Sequence, residues 1–119
     1  MIVLALVTVL LSPWKGPSLP AAPTGNYETS WAMTVHGAPH ARVQLLADVA
    51  PKGWIAAFCT RRLCAPFHTV ATLDGKGIAH YQFSLIRAGP KAAPHPKEVT
   101  IRANGRKVAR LKTAIISDL

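Results

Sequence analysis

The residues with the most chemistry to offer are Cys59 and Cys64, the only two cysteines, with Arg61 and Arg62 between them. An even cysteine count in an exported chain reads as a disulfide. Closing so short a loop restrains the unfolded chain by about 2 kcal/mol. The alternative is an exchangeable bond, because neighbouring guanidinium groups lower a thiol pKa and favour the thiolate. Against that, the spacing is not Cys-x-x-Cys and no βαβ pattern surrounds it.

Metal chemistry is a weak alternative. Cys64-x3-His68 lies within ligand reach, and His36-x3-His40 flanks a turn. Ala57-Phe58-Cys59-Thr60 is also similar to the copper loop of cupredoxins, which are exported β-sandwiches. Such a loop needs Cys, then His, then Met a few residues on. Val70 and Leu73 occupy that stretch, and the only methionines are Met1 and Met33. A disulfide would remove the thiolate in any case. The reading is therefore no metal and no cofactor.

Anion binding is the third chemistry. Fourteen Lys and Arg stand against five Asp and Glu, a formal charge of +9 that favours anionic partners. Arg102, Arg106, Arg110 and Lys112 gather around one expected hairpin, with Lys107 beside them. Arg61 and Arg62 make a second cluster at a loop tip. Arg102, Arg110 and Lys112 are expected outward on paired strands, where their like charges come close and repel. Aromatics are expected mostly on core faces, so the stacking platform of a single-strand nucleic-acid binder is missing and no specific nucleic acid is expected. An envelope protein or polyanion is the better partner. For hydrolysis, Ser84, His80 and Asp74 are present, but no Ser-centred elbow marks a site. No enzyme is read.

The elements that must hold these groups are strands. At 119 residues the chain makes one domain, and half of it is apolar, enough for one small core. Ile2 to Leu11 is an apolar run interrupted only by Thr8, too short for a bilayer-spanning helix of about 20 residues but of the length of a signal-peptide core. Residues 1–22 are accordingly read as a signal peptide with cleavage near Ala21 or Ala22. A positively charged n-region is missing, so an uncleaved anchor is the alternative, and a buried N-terminal strand the remaining one. The chain is expected in the periplasm, at the cell surface or outside the cell, touching membrane only through this segment if uncleaved.

Residues 23–27 read as a linker and 28–117 as the folded domain. Within it the apolar period is two. Seven short strands are expected, in the neighbourhoods of Trp31–Val35, Ala41–Val49, Trp54–Cys59, Phe67–Leu73, Ala79–Leu85, Val99–Ala103 and Ala109–Ile115. Turn formers separate them, including Pro51-Lys52-Gly53, Asp74-Gly75-Lys76-Gly77 and Asn104-Gly105. Asn-Gly is the strongest short hairpin signal, because both residues of a tight primed turn need positive φ. Seven strands at this spacing predict an all-β, two-sheet antiparallel sandwich of immunoglobulin-like type, with a small barrel as runner-up.

Pro51-x-Gly53-Trp54-x3-Phe58-Cys59-x4-Cys64-x-Pro66, lying between Ala47-Asp48-Val49 and Tyr81-x-Phe83-x-Leu85, resembles the immunoglobulin-like modules of exported bacterial and archaeal surface proteins. The resemblance spans about Glu28 to Ser117. It implies a sandwich with Trp54 in its core and no common catalytic residues. The function expected is a non-enzymatic interaction or structural module at the cell envelope, binding an anionic partner. The alternatives are a metal-handling or electron-transfer sandwich, or a thiol-disulfide protein.

Overall fold

Wherever apolar and polar side chains alternate, the chain is extended. The computed structural model describes residues 6–22, 28–50, 52–89 and 98–112. In them nine strands run in order: β1 (Thr8–Pro13), β2 (Glu28–His36), β3 (Arg42–Ala50), β4 (Trp54–Cys59), β5 (Cys64–Pro66), β6 (His68–Thr72), β7 (Ile78–Arg87), β8 (Glu98–Ala103) and β9 (Arg106–Lys112). They form two antiparallel sheets, β1-β2-β7-β4-β5 and β6-β3-β8-β9, stacked as a sandwich. The order β1-β2-β7-β4 against β3-β8-β9 corresponds to the ABED and CFG sheets of a constant-type immunoglobulin sandwich. The short strands β5 and β6 are added between the fourth and fifth of those positions.

One face of every strand but β5 fills the space between the sheets. Met33 and Val35, Trp54, Ala56 and Phe58, and Tyr81, Phe83 and Leu85 come from the five-stranded sheet. Val43, Leu45 and Ala47, Ala71, and Val99, Ile101 and Ala103 come from the other. Each large apolar side chain buried here contributes about 1.5–3 kcal/mol. Phe58 sits 5.3 Å from Phe83 and 6.1 Å from Tyr81 between ring centroids, and Trp31 lies 6.3 Å from Phe83. These tilted and edge-on pairs lock β2, β7 and β4 into one register.

The turns follow from backbone chemistry. Asn104 and Gly105 both have positive φ, 50° and 83°, as the primed hairpin turn requires. Gly77 has φ 77°, and a side chain there would collide with the Gly37 carbonyl oxygen. That approach lets Gly37 N–H donate to Gly77 O at 2.9 Å and ties the β2–β3 turn to the β6–β7 turn.

Two features depart from the sequence reading. Phe67, expected inward on a fourth strand, is 40% exposed with φ 62°. The chain changes sheet there. Phe67 N–H donates to Ala56 O in one sheet at 2.7 Å, and Phe67 O accepts from Ala47 N–H in the other at 2.8 Å. A residue bonded to both sheets cannot also place its side chain between them.

The second concerns the segment read as a signal peptide. Here Thr8–Pro13 is β1, paired with β2 from Thr8 opposite His36 to Pro13 opposite Trp31. Val9 is buried, and Val7 and Leu11 pack on the core. Within this structure the sandwich takes in residues 6–22 as well as those from Glu28 on. The expected linker 23–27, the Pro-rich stretch 90–97 and residues 113–117 lie outside the described residues.

Candidate functional site

Outward-facing positions on the five-stranded sheet form rows across the strands. Ala32 of β2 stands opposite Gln82 of β7, which stands opposite Cys59 of β4, which stands opposite Cys64 of β5. One row over come Ser30, Ser84 and Ala57. Over these rows passes the flap formed by Trp14 to Ala22. Trp14 N–H donates to Ser30 O at 3.3 Å, Gly16 turns the chain with φ 87°, and Ala22 N–H closes a turn on Leu19 O at 2.9 Å. Prolines at 13, 17 and 20 suit such a segment, since none of them has an N–H to satisfy.

The flap is held by both polar and apolar contacts. Gln82 is fully buried. Its Oε1 accepts from Leu19 N–H at 2.8 Å, and its Nε2 donates to Ser30 Oγ at 3.0 Å and to Ser18 Oγ at 3.3 Å. Ser30 Oγ and Ser84 Oγ lie 2.9 Å apart. Beside this network Ala22, Ala57 and Cys59 form a second small core, with Leu19, Cys64 and Ile86 against it. Cys59 and Cys64 are bonded at 2.05 Å. The Ala21 carbonyl oxygen lies 3.1 Å from Cys64 Sγ, a packing contact only, since a disulfide sulfur carries no proton.

Between the flap and the β4–β5 tip the sheet is left uncovered, and a groove of about 290 Å³ remains. Trp14 and Leu19 form one wall, Thr60 and Arg61 the other, and Ala32 and His80 are among the floor residues. The Trp14 Nε1–H donates to Pro17 O at 3.3 Å, which fixes the indole. The tip is fixed as well. Thr60 N–H donates to Leu63 O at 2.9 Å, while Thr60 Oγ1 accepts from Arg62 N–H and Leu63 N–H at 3.3 and 3.4 Å. Arg61 and Arg62 therefore project from a turn closed by a hydroxyl and a disulfide. Both are exposed, and neither has an acidic partner among the described residues.

The other expected cluster is arranged differently. Arg102 reaches Asp48 at 3.0 Å. Arg110 grips Glu98 with two nitrogens, Nε at 3.0 Å and Nη2 at 3.1 Å. The expected crowding of like charges is thus relieved by interleaved acids. A register shift between Ile101 and Arg102 sets Lys107 opposite Arg102 and Arg106 opposite Ala103. Arg106 and Lys107 border a cleft of about 280 Å³ shared with Leu6 and Val7. Lys112 stands opposite Glu98 in register, and that strand position is all that is described of it. By strand position Arg102, Arg110 and Lys112 share the outer face of the four-stranded sheet, with Asp48 and Glu98 among them, while Arg61 and Arg62 stand at the tip of the other sheet.

For the remaining candidates, the local partners decide. With its sulfur bonded to Cys59, Cys64 has no thiolate to offer a metal, so the pair with His68 lacks its first ligand. No group of three His, Cys, Asp or Glu that could hold a metal occurs among the described residues. His80 Nδ1 faces Thr34 Oγ1 at 3.4 Å and Ser84 faces Ser30, so neither is bonded to Asp74. The Asp74 carboxylate accepts from Ile78 N–H and Lys76 N–H at 2.9 and 2.8 Å. Those two backbone bonds, Ile78 first, lower its pKa; desolvation opposes them, and the charges of Lys76 and His80 add lesser attraction. Its role is to shape a turn.

Trp14 and the flap were missed as site elements because residues 1–22 read as a signal. The signal available was Gln82 and Ser84, two polar residues in a long apolar strand that need polar partners if covered. No protein-family model matches the chain, and no curated protein matches it significantly.

Proposed function

We propose that the protein is a non-enzymatic interaction module of the cell envelope, exported to an oxidising compartment, that binds an anionic partner through the β4–β5 tip. One observation carries the reading: Arg61 and Arg62 stand exposed and without an acidic partner among the described residues, on a rigid turn, whereas Arg102 and Arg110 are neutralised by acids. Export is supported by the Cys59–Cys64 bond, since disulfides persist in oxidising compartments. The reading also retains residues 6–22 in the working protein, because β1 and the flap are parts of the sandwich.

Retention on anionic vesicles or an anionic resin at rising salt tests the anionic partner. Screening weakens contacts between exposed charges, so binding should fall steeply with salt. Arg61→Gln with Arg62→Gln should remove most of the retention, and Arg102→Gln with Arg110→Gln should leave it nearly intact. Equal losses from the two double variants would mean that only net charge matters, and would sink the reading. Intact-mass measurement of the exported protein tests the retained segment; a mature chain starting near Ala22 would overturn that part.

A further inference from the structure

We infer that the groove between Trp14 and Arg61 binds a single acidic sugar unit, a hexuronate residue of an envelope polyanion. This rests on the anionic-partner reading and narrows it to one chemistry. A polyanion could be recognised by charge alone, and a phosphate polymer would need nothing else. The groove offers more than charge. Its walls carry an indole and a leucine, and Ala32 leaves floor space beside them. The indole N–H is already engaged by Pro17 O, so what Trp14 offers a ligand is ring surface. Ring surface suits the C–H faces of a pyranose, and it gives a phosphate group nothing.

Charge selects the acid. Arg61 lines the groove, and its planar fork matches a carboxylate with two parallel hydrogen bonds. His80 stands on the floor as a further polar group, while the Thr60 hydroxyl is taken up by its own turn. No Asp or Glu lines the groove. Three acids have described partners away from the groove: Asp48 with Arg102, Glu98 with Arg110, and Asp74 with its own turn. Size agrees too, because about 290 Å³ lies at the lower end of ligand sites, enough for one sugar ring. Arg62, next in the chain, is exposed and adds a second positive charge outside the groove's lining.

The test titrates the full chain with three probes at one ionic strength: a galacturonate trisaccharide, the neutral galactose trisaccharide, and inorganic polyphosphate of matched charge. Heat of binding is the readout. The acidic sugar should bind at least tenfold more tightly than either of the others. Trp14→Leu keeps apolar bulk but loses the ring and should weaken the sugar at least tenfold, while Trp14→Phe keeps most binding. Arg61→Gln should lose at least tenfold, and Arg110→Gln should be silent. Unchanged melting temperatures for Trp14→Phe and Arg61→Gln keep the result clear of misfolding. If polyphosphate binds as well as the sugar and Trp14→Leu has no effect, the sugar inference is overturned and the anionic-partner reading survives. If neither polyanion binds, both fall.

Discussion

The two outer faces of the sandwich begin from the same sequence pattern and end in opposite environments. On the four-stranded sheet Arg42, Gln44, Leu46 and Asp48 alternate with core residues and stay exposed. On the five-stranded sheet His80, Gln82 and Ser84 alternate with core residues in the same way, yet Gln82 and Ser84 are fully buried. The difference is the flap. Where water covers a face, charges find charges: Arg102 meets Asp48 and Arg110 meets Glu98. Where chain covers a face, small hydroxyls and one amide replace charges, because a buried ion would cost far more than a buried amide that is fully bonded. Alternation thus settles which residues face the core, and the covering segment settles what the other face becomes.

The largest break in that comparison comes from removing the cover. A chain lacking residues 1–22 loses the β1 ladder, Val9 from the core and every flap bond to Gln82. It also exposes Met33 and Val35 at a new sheet edge, an aggregation hazard. Small domains hold only about 5–15 kcal/mol in total, so cooperative unfolding should disappear. Circular dichroism on heating checks it. A truncated chain that melts like the full one would show that β1 and the flap carry no weight.

The next effect is smaller and sits at the centre of the network. Gln82→Leu keeps the volume but leaves Leu19 N–H and Ser18 Oγ without the amide, while Ser30 Oγ keeps Ser84 Oγ. At somewhat more than about 1 kcal/mol for each of these two groups the loss should exceed about 2 kcal/mol. Gln44→Leu on the open face leaves only solvated groups, and should change stability by less than about 0.5 kcal/mol. Denaturant titration of both variants compares the covered and the open face directly. Equal costs would mean that Gln82 is effectively solvated.

Below that lies the disulfide. Replacing both Cys59 and Cys64 by Ser should cost about 2 kcal/mol, the chain-entropy value for so short a loop. Because the bond also closes the Arg61–Arg62 turn, retention on anionic vesicles should fall with it. Lost stability with unchanged retention would assign the tip's rigidity to Thr60 alone.

Much of the fold was legible in the sequence, for a physical reason. The period-two pattern through Val43-Leu45-Ala47 and Tyr81-Phe83-Leu85 names the core face without any knowledge of neighbours. Asn104-Gly105 names its own turn, because positive φ is a local requirement. What was not legible depends on contacts distant in sequence. Phe67 fits an inward position by parity, yet its backbone bonds to Ala56 and Ala47 make it the sheet switch. Ile2 to Leu11 has the composition of an export signal, and nothing local distinguishes that from a strand waiting for β2. The Arg61–Arg62 tip was legible as a candidate, since a loop between two cysteines announces itself. Its groove was not, since Trp14 lies 47 positions from Arg61 in the chain.

The smallest effect belongs to the open face, and it asks whether the acid–base pairs there hold the sheet or only neutralise it. Arg110 and Glu98 lie on paired strands, joined through two nitrogens, with side chains 53% and 40% exposed. Water and salt screen a pair so exposed, and typical exposed pairs are worth about 0.2–1 kcal/mol. The bidentate geometry places this one toward the upper part of that range. Arg102 and Asp48 touch through one nitrogen with side chains 32% and 59% exposed, and should contribute less. A double-mutant cycle of Arg110→Gln with Glu98→Gln isolates the coupling from each residue's other contacts. It should fall by half or more at high salt, where the Debye length shrinks to about 3 Å. A coupling above about 2 kcal/mol that ignores salt would place the pair in a drier setting than its exposure allows. The two outer faces would then differ in kind of polar group but not in how strongly they hold the fold.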